Sequence, residues 1–199
     1  MGPIPDIHPV RLTTARLTLR ELAVEDWRDA RAIDADPEVT RYQSNDVTDE
    51  AGTRAYLERG VAGAQATPRR VYDLAITRTG EDRFLGRVGL RIERPDHRDG
   101  QLWFVLRRDH WRQGIVSEAA AALVDFGFSQ LGMHRIWGDT DPRNTGSAGV
   151  MEKLGMRREA HLRENWWLGG EWCDSWIYAM LEQEWRSRDE LSSSKSRAR

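Results

Sequence analysis

The stretch WRQGIVSEAAAALVDFGF, Trp111 to Phe128, decides the reading of this chain, because a basic loop containing Gly114 runs directly into an alanine-rich segment. Ala119, Ala122, Leu123 and Phe126 recur at helical spacing, which predicts a helix with a narrow apolar face whose small residues allow close packing on a sheet. The first N–H groups of such a helix lack intrahelical partners. With Arg107, Arg108 and Arg112 just ahead, they bring donors, positive charge and an axial dipole to one place. That arrangement suits a phosphate group, although a turn that merely needed a glycine explains the same residues. The stretch is neither a Walker loop, which demands Gly-Lys-Ser/Thr after a longer glycine-spaced run, nor a dinucleotide G-x-G-x-x-G.

Working outward, period and breaker signals divide residues 11 to 186 into a mixed α/β order. Leu17 to Arg20 alternates like a strand; Val24 to Ala35 reads as a helix opened by Glu25 and Asp26 and stopped before Pro37; a second helix covers Asp49 to Gln65. Val71 to Thr77, Phe84 to Ile92 and Gln101 to Leu106 read as a three-strand antiparallel meander, broken at Thr79-Gly80 and Arg94-Pro95-Asp96. Beyond the central helix come a strand at Arg135 to Thr140, a short helix at Asn144 to Leu154 stopped by Gly155, and strands at Arg158 to Asn165 and Asp174 to Glu182. The expected organisation is one domain over 11–186, with an N-terminal extension at 1–10 and a polar, disordered tail at 187–199.

Composition narrows the function classes. The 199 residues carry 30 basic and 32 acidic side chains, net charge −2, without the basic excess of a nucleic-acid-binding surface. No apolar run is long enough to cross a bilayer, and the start, MGPIPDIHPVRL, lacks the apolar core of a secretion signal, so the expectation is a cytoplasmic protein. Cys173 is the only cysteine and the five histidines show no metal spacing, which argues against a disulfide framework and against a metal cofactor. Nine tryptophans, with Trp166, Trp167, Trp172 and Trp176 clustered, suit a core, an aromatic acceptor pocket or a homodimer contact.

Several motifs then act jointly: W-x-Q-G-x-x-[ST]-E-A at Trp111 to Ala119, L-G-x-H-R at Leu131 to Arg135, D-P-x-N-x-x-S at Asp141 to Ser147, E-K-L-G at Glu152 to Gly155, and G-x-W-x-D at Gly170 to Asp174. In these the chain resembles the GNAT acyltransferases, in particular the RimJ/RimL-type N-acetyltransferases. The resemblance covers about residues 11 to 186. It implies an α/β (α+β) fold with a mixed, mostly antiparallel, twisted sheet of about seven strands, flanked by about four helices. The sheet would be splayed between the family's fourth and fifth strands, here Gln101 to Leu106 and Arg135 to Thr140.

The resemblance also implies acetyl-CoA as co-substrate and an amine acceptor as partner, without metal. The pantetheine arm would pair with main-chain groups of Val105 and Leu106. The pyrophosphate would rest on the loop and helix start, with Arg107, Arg112, Gln113, Gly114, Ile115, Val116 and Ser117 in contact and Gly114 keeping a side chain out of the way. Asn144 would order cofactor and loop, and Ser147 would donate to the departing thiolate. Read without the resemblance, Asn144 and Ser147 are first of all a helix cap, since Asn and Ser are preferred helix openers.

The pattern breaks in three places. Trp111 and Val116 stand at the first and last positions of the general GNAT loop, where Gln/Arg and Gly/Ala are usual. Gln101 occupies the position where many relatives carry glutamate, and Trp166 that where ribosomal-protein members carry another. Glu93, Asp139 and Glu164 are left as candidate bases, with Glu164 carried forward as catalytic beside Ser147. Gln101, Trp103, Trp166 and Trp167 are expected to face the acceptor, which is a protein α-amine or a small-molecule amine such as an antibiotic or amino-nucleoside. The alternative is a non-catalytic acyl-CoA-binding or regulatory module that has lost its base.

Overall fold

The computed structural model describes residues 2–43 and 49–188. Eight strands form one sheet in the order β1-β2-β3-β4-β5-β6-β8-β7: β1 (Arg11–Thr13), β2 (Leu17–Glu21), β3 (Val71–Arg78), β4 (Gly86–Arg94), β5 (Asp99–Leu106), β6 (Arg135–Thr140), β7 (Arg157–Leu168) and β8 (Glu171–Leu181). Every neighbouring pair is antiparallel except β5 with β6. That parallel pair requires a crossover, which α4 (Ile115–Ser129) supplies.

Alternation along the meander sorts side chains onto two faces. Leu74, Ile76, Leu90 and Leu102 pack with Leu123 and Phe126 of α4 in the larger core. Fully burying such side chains is worth about 1.5–3 kcal/mol each. On α4, a Cβ at Gly127 would lie 2.8 Å from Ile136 and 2.9 Å from Leu90, so a side chain there would force the helix off the sheet. The opposite face carries Ala75 and Val105, covered by α1 (Trp27–Asp34), α2 (Pro37–Thr40) and α3 (Glu50–Ala64) through Ala30, Ile33, Val39 and Leu57. Asp49 caps α3 by accepting from Gly52 N.

Three expectations are corrected here. The sheet has eight strands rather than about seven, because β1 is a three-residue edge strand too short to show a period. The helix expected at Val24 to Ala35 begins as a 3₁₀ turn at Val24–Asp26 and is α-helical only from Trp27. Pro37 not only ends that segment but opens α2 at its first turn, where a missing N–H costs nothing, with Asp36 accepting from Glu38 N. There are therefore more than the four expected helices: α1 to α4, α5 (Thr145–Lys153), and a helical stretch at 182–188 that runs into part of the expected tail. Residues 189–199 of that tail lie outside the described residues. No helix among the described residues is long and apolar enough to cross a membrane.

Candidate active site

The ladder between β5 and β6 consists of Asp99↔Arg135, Gly100↔Ile136 and Gln101↔Trp137 and then stops. From Leu102 and Gly138 onward the two strands diverge, and a cleft of about 1220 Å³ opens at the split. At its apex Gln101 Nε2 donates to Asp139 Oδ1 at 2.9 Å, tying the two lips together. One wall is the end of β5 with the start of α4, including Gly114, Ile115, Val116 and Ser117. The other is the start of α5, including Asn144 and Ser147.

Backbone parity decides which groups of β5 face this opening. Arg107 N donates to Leu85 O, so Leu85 and Arg107 are a hydrogen-bonded pair in the β4–β5 register. Such pairs alternate along an antiparallel ladder, which puts Val105 with Arg87 in a bonded pair and turns the main-chain groups of Phe104 and Leu106 toward the split. The expectation for the main chain of Val105 is thereby corrected: Val105 borders the cleft, but its main-chain groups are spent on β4, and those turned to the split belong to Phe104 and Leu106. Leu106 O is already occupied by Trp111 Nε1 at 2.9 Å, which gives the loop tryptophan a structural task.

The loop between β5 and α4 is held by its own charges. Arg107 binds Asp29 and Asp109, and neither it nor Gln113 borders the cleft. Gln113 instead gives its carbonyl to Arg16 and its amide nitrogen to Asp109 O. Glu118 receives Thr14 Oγ1 at 2.6 Å and Arg16 N and Nε at 3.0 and 2.7 Å. Burial opposes its ionisation, but the bonds from Thr14 and Arg16 outweigh it and hold the carboxyl below its usual range. Gly114 has φ +75°, and a Cβ on it would approach only Arg16 Nη2, at 3.4 Å. Within the protein it is the left-handed backbone, rather than crowding, that calls for glycine. The first intrahelical bond is Glu118 N to Gly114 O, so the N–H groups of Ile115, Val116 and Ser117 have no acceptor within the helix. Half-buried Val116 packs against the larger core while bordering the cleft.

Across the split, Asn144 is the N-cap of α5 and accepts from Ser147 N at 3.1 Å, so the capping explanation of that pair holds. The Ser147 hydroxyl has no hydrogen-bond partner among the described residues and is available at the cleft wall. Arg143, next to the cap, clamps this corner through Asp141, Glu171 and Cys173 Sγ.

Of the expected acceptor-facing residues, Gln101, Trp103 and Trp166 border the cleft and Trp167 does not. Neighbours on a strand point to opposite sides, and Trp167 packs edge-on against Trp172 at 5.2 Å on the outside of the β7–β8 hairpin. Glu164 is also absent from the cleft: it sits at a bulge with φ +48°, exposed, and its N–H donates to Asp174 Oδ1 at 2.8 Å. Asp174, bonded also to His161 Nε2 at 2.6 Å, borders the cleft in its stead. Trp103 lies flat over Gly89, where a Cβ would come within 2.0 Å of the indole ring. Beyond it the wall is made by Tyr56, Asp73 and Arg87, three residues not singled out from sequence. Tyr56 Oη donates to Asp73 Oδ2 at 2.5 Å. A lone carboxylate in the otherwise apolar run Val-Tyr-Asp-Leu-Ala-Ile was the available signal.

Residues 16–157 match the model of the acetyltransferase (GNAT) domain family. The uncharacterised N-acetyltransferase YnaD of Bacillus subtilis strain 168 is 30% identical over 177 residues, covering 88% of this chain and 99% of its own. The spermidine N(1)-acetyltransferase of Escherichia coli strain K12 is 24% identical over 177 residues, covering 85% and 84%. Among solved structures, an acetyltransferase (GNAT family) from Bacillus anthracis superposes with a TM-score of 0.78 at 28% identity, covering 88% of this chain and all of its own.

Proposed function

The chain belongs to the acetyltransferase (GNAT) domain family, and from that premise we propose that this enzyme moves an acetyl group from acetyl-CoA to a small primary amine by direct attack on the thioester. The observation that carries the reading is the three-pair β5–β6 ladder opening onto unpaired backbone on one side and a helix start on the other. These residues fit the co-substrate: an amide-bearing arm finds the N–H of Leu106 and both main-chain groups of Phe104, and a diphosphate finds the N–H groups of Ile115 to Ser117.

Acetyl-CoA supplies an acyl group already activated as a thioester. The chain's residues do the rest. Phe104 and Leu106 align the arm along β5, and the amide of Gly114 and the first turn of α4 hold the anionic end. An acceptor ammonium must lose a proton before it attacks, since its reference pKa is about 8 for an α-amine and about 10.4 for a lysine-like amine. Of the carboxylates considered from sequence, Asp139 is the one on the cleft wall, anchored by Gln101, and we assign it to receive that proton directly or through water. Ser147 Oγ, without another partner among the described residues, donates to the thiolate as it departs. The exposed face of Trp166 at the rim supports a small acceptor over a ribosomal N-terminus of the RimJ/RimL kind.

Thiol release from acetyl-CoA, followed with alkylamines, diamines, amino-nucleosides and N-terminal peptides, tests this. Release with small amines is expected. Tight acetyl-CoA binding with no release for any amine would replace the reading with that of a non-catalytic acyl-CoA-binding module.

A further inference from the structure

The wall beyond Trp103 holds a buried cluster to which the transfer steps give no task. Asp73 of β3 is 7% exposed and Arg87 of β4 2%. Their charges oppose, and each keeps one atom, Asp73 Oδ1 and Arg87 Nη1, without a partner among the described residues. Both also hold Tyr56, which α3 brings to the sheet. Arg87, within 3.6 Å of Asp34 Oδ1, lies over the Tyr56 ring at 4.2 Å, and Asp73 Oδ2 accepts from Tyr56 Oη at 2.5 Å. The phenol is thus gripped on its face and at its tip. Burial, with Asp73 beside it, pushes the Tyr56 hydroxyl up and keeps it a donor. Burial pushes the Asp73 carboxyl up as well, but Oδ2 can accept whether or not Oδ1 carries a proton.

Register brings Trp103 to the same group. Asp73 lies opposite Gly89, and Gly89 opposite Trp103, so the three share a face of the sheet. Trp103 Cε2, the ring carbon that carries the indole nitrogen, is among the atoms resting on Gly89, so the N–H edge reaches back across β4 toward Tyr56 and Asp73. A phenol that donates through its hydrogen still accepts at its oxygen, and the Trp103 N–H is the donor to that oxygen. Arg91 closes another side, its guanidinium 5.5 Å from the ring centre and 3.4 Å from Glu93. The indole is therefore held by Gly89 beneath it, by Arg91 over it, and at its nitrogen by the chain Trp103–Tyr56–Asp73. Without the last of these, a half-buried side chain at the cleft has other rotamers open to it.

We propose that Tyr56 and Asp73 are positioning residues for the acceptor: through the indole N–H they hold Trp103 in one rotamer, which keeps its ring out of the acceptor's path to the split. The proposal rests on the acetyl-transfer reading and adds to it two residues that act through a third. Released from Tyr56, the ring turns into the cleft and competes with the acceptor for space. Binding of the acceptor weakens, while the groups around the thioester, on the other side of β5, are left in place. Arg87 serves the same end by fixing the Tyr56 ring.

The test uses the whole chain labelled with nitrogen-15 at tryptophan, in which the Trp103 signal is the one lost in Trp103→Phe. Its indole proton is expected to exchange with solvent at least about tenfold more slowly than those of the exposed Trp167 and Trp172, and as fast as theirs in Tyr56→Phe. Kinetics use the alkylamine that gives the fastest thiol release from acetyl-CoA. Tyr56→Phe and Trp103→Phe should each raise its KM about tenfold, with kcat and the calorimetric affinity for CoA near wild type, and the double variant should go no further because both break one contact. Asp73→Ala should act like Tyr56→Phe, and Asp73→Asn, which still accepts from Tyr56, should recover most of the loss. A Trp103 indole that exchanges as freely as Trp167 in the wild type, or KM factors that multiply in the double variant, overturns the proposal, and the wild-type exchange decides alone if Tyr56→Phe does not fold. Absence of thiol release with every amine would instead sink the transfer reading, and the exchange rates would still decide whether the indole is held.

Discussion

Gly89→Ala probes the acceptor wall through a contact the structure defines closely. A Cβ at this position would lie 2.0 Å from Trp103 Cζ2 and 2.1 Å from Cε2. Favourable carbon contacts begin near 3.5 Å, so the ring must retreat by about 1.5 Å, a displacement a packed indole cannot absorb in place. Overpacking of this kind costs about 1–3 kcal/mol. Trp103 is only half buried and can swing into the cleft, which places the expected loss toward the lower end but moves the ring into the acceptor path. Urea unfolding of wild type, Gly89→Ala, Trp103→Ala and the double variant measures the coupling. In the Trp103→Ala background the same glycine substitution should be neutral or slightly stabilising, since alanine is favoured over glycine within a strand by about 0.5–1 kcal/mol once nothing opposes it. Acceptor KM should rise in Gly89→Ala while affinity for CoA, which the proposed function places on the β6 side of β5, stays near wild type. If the glycine substitution cost the same in both backgrounds, the ring would not be resting on Gly89 and the described wall would be wrong.

Gly114→Ala should lower unfolding stability by about 1–2 kcal/mol through its left-handed φ, with little steric contribution, and weaken CoA in a titration as the loop relaxes. Ser147→Ala should reduce kcat about a hundredfold, with the cap of α5 intact because Asn144 bonds to the backbone of residue 147; unchanged turnover removes the hydroxyl from the mechanism. Glu118, its folded pKa held below the reference of 4.5, contributes stability that is fully present above that value and lost as pH falls through the folded one; Glu118→Gln should flatten this acid limb in pH-dependent melting. Asp73 has the opposite sign: its raised folded pKa means stability declines as pH climbs above 3.8 through the folded value. Asp73→Asn should therefore melt higher than wild type at neutral pH, with the advantage vanishing in acid.

Much of the frame was legible where local signals sufficed. The strand Arg135–Thr140 and the body of α4 follow from period and breakers, while the split itself came with the family motifs, because no periodicity tells a strand that its neighbour will diverge. What escaped depends on partners distant in the chain. Whether Phe104 or Val105 offers its backbone to the cleft is a parity set by the β4 register. Glu164 was misplaced by a bulge that turns its backbone to φ +48°, and strand alternation assigned Trp166 and Trp167 to opposite sides. The cluster of Tyr56, Asp73 and Arg87 unites a helix and two strands, and only the aspartate left a trace in the pattern.

A sheet stitched by three residue pairs has a weak seam at its middle. Five strands on one side and three on the other are each well laced internally, so thermal motion meets least resistance along that line. Whatever lies in the gap and grips both lips acts as a rivet: it stiffens the molecule from edge to edge rather than quieting a single loop. Occupancy of the gap and rigidity of the acceptor wall, which share strand β5, are thus mechanically joined.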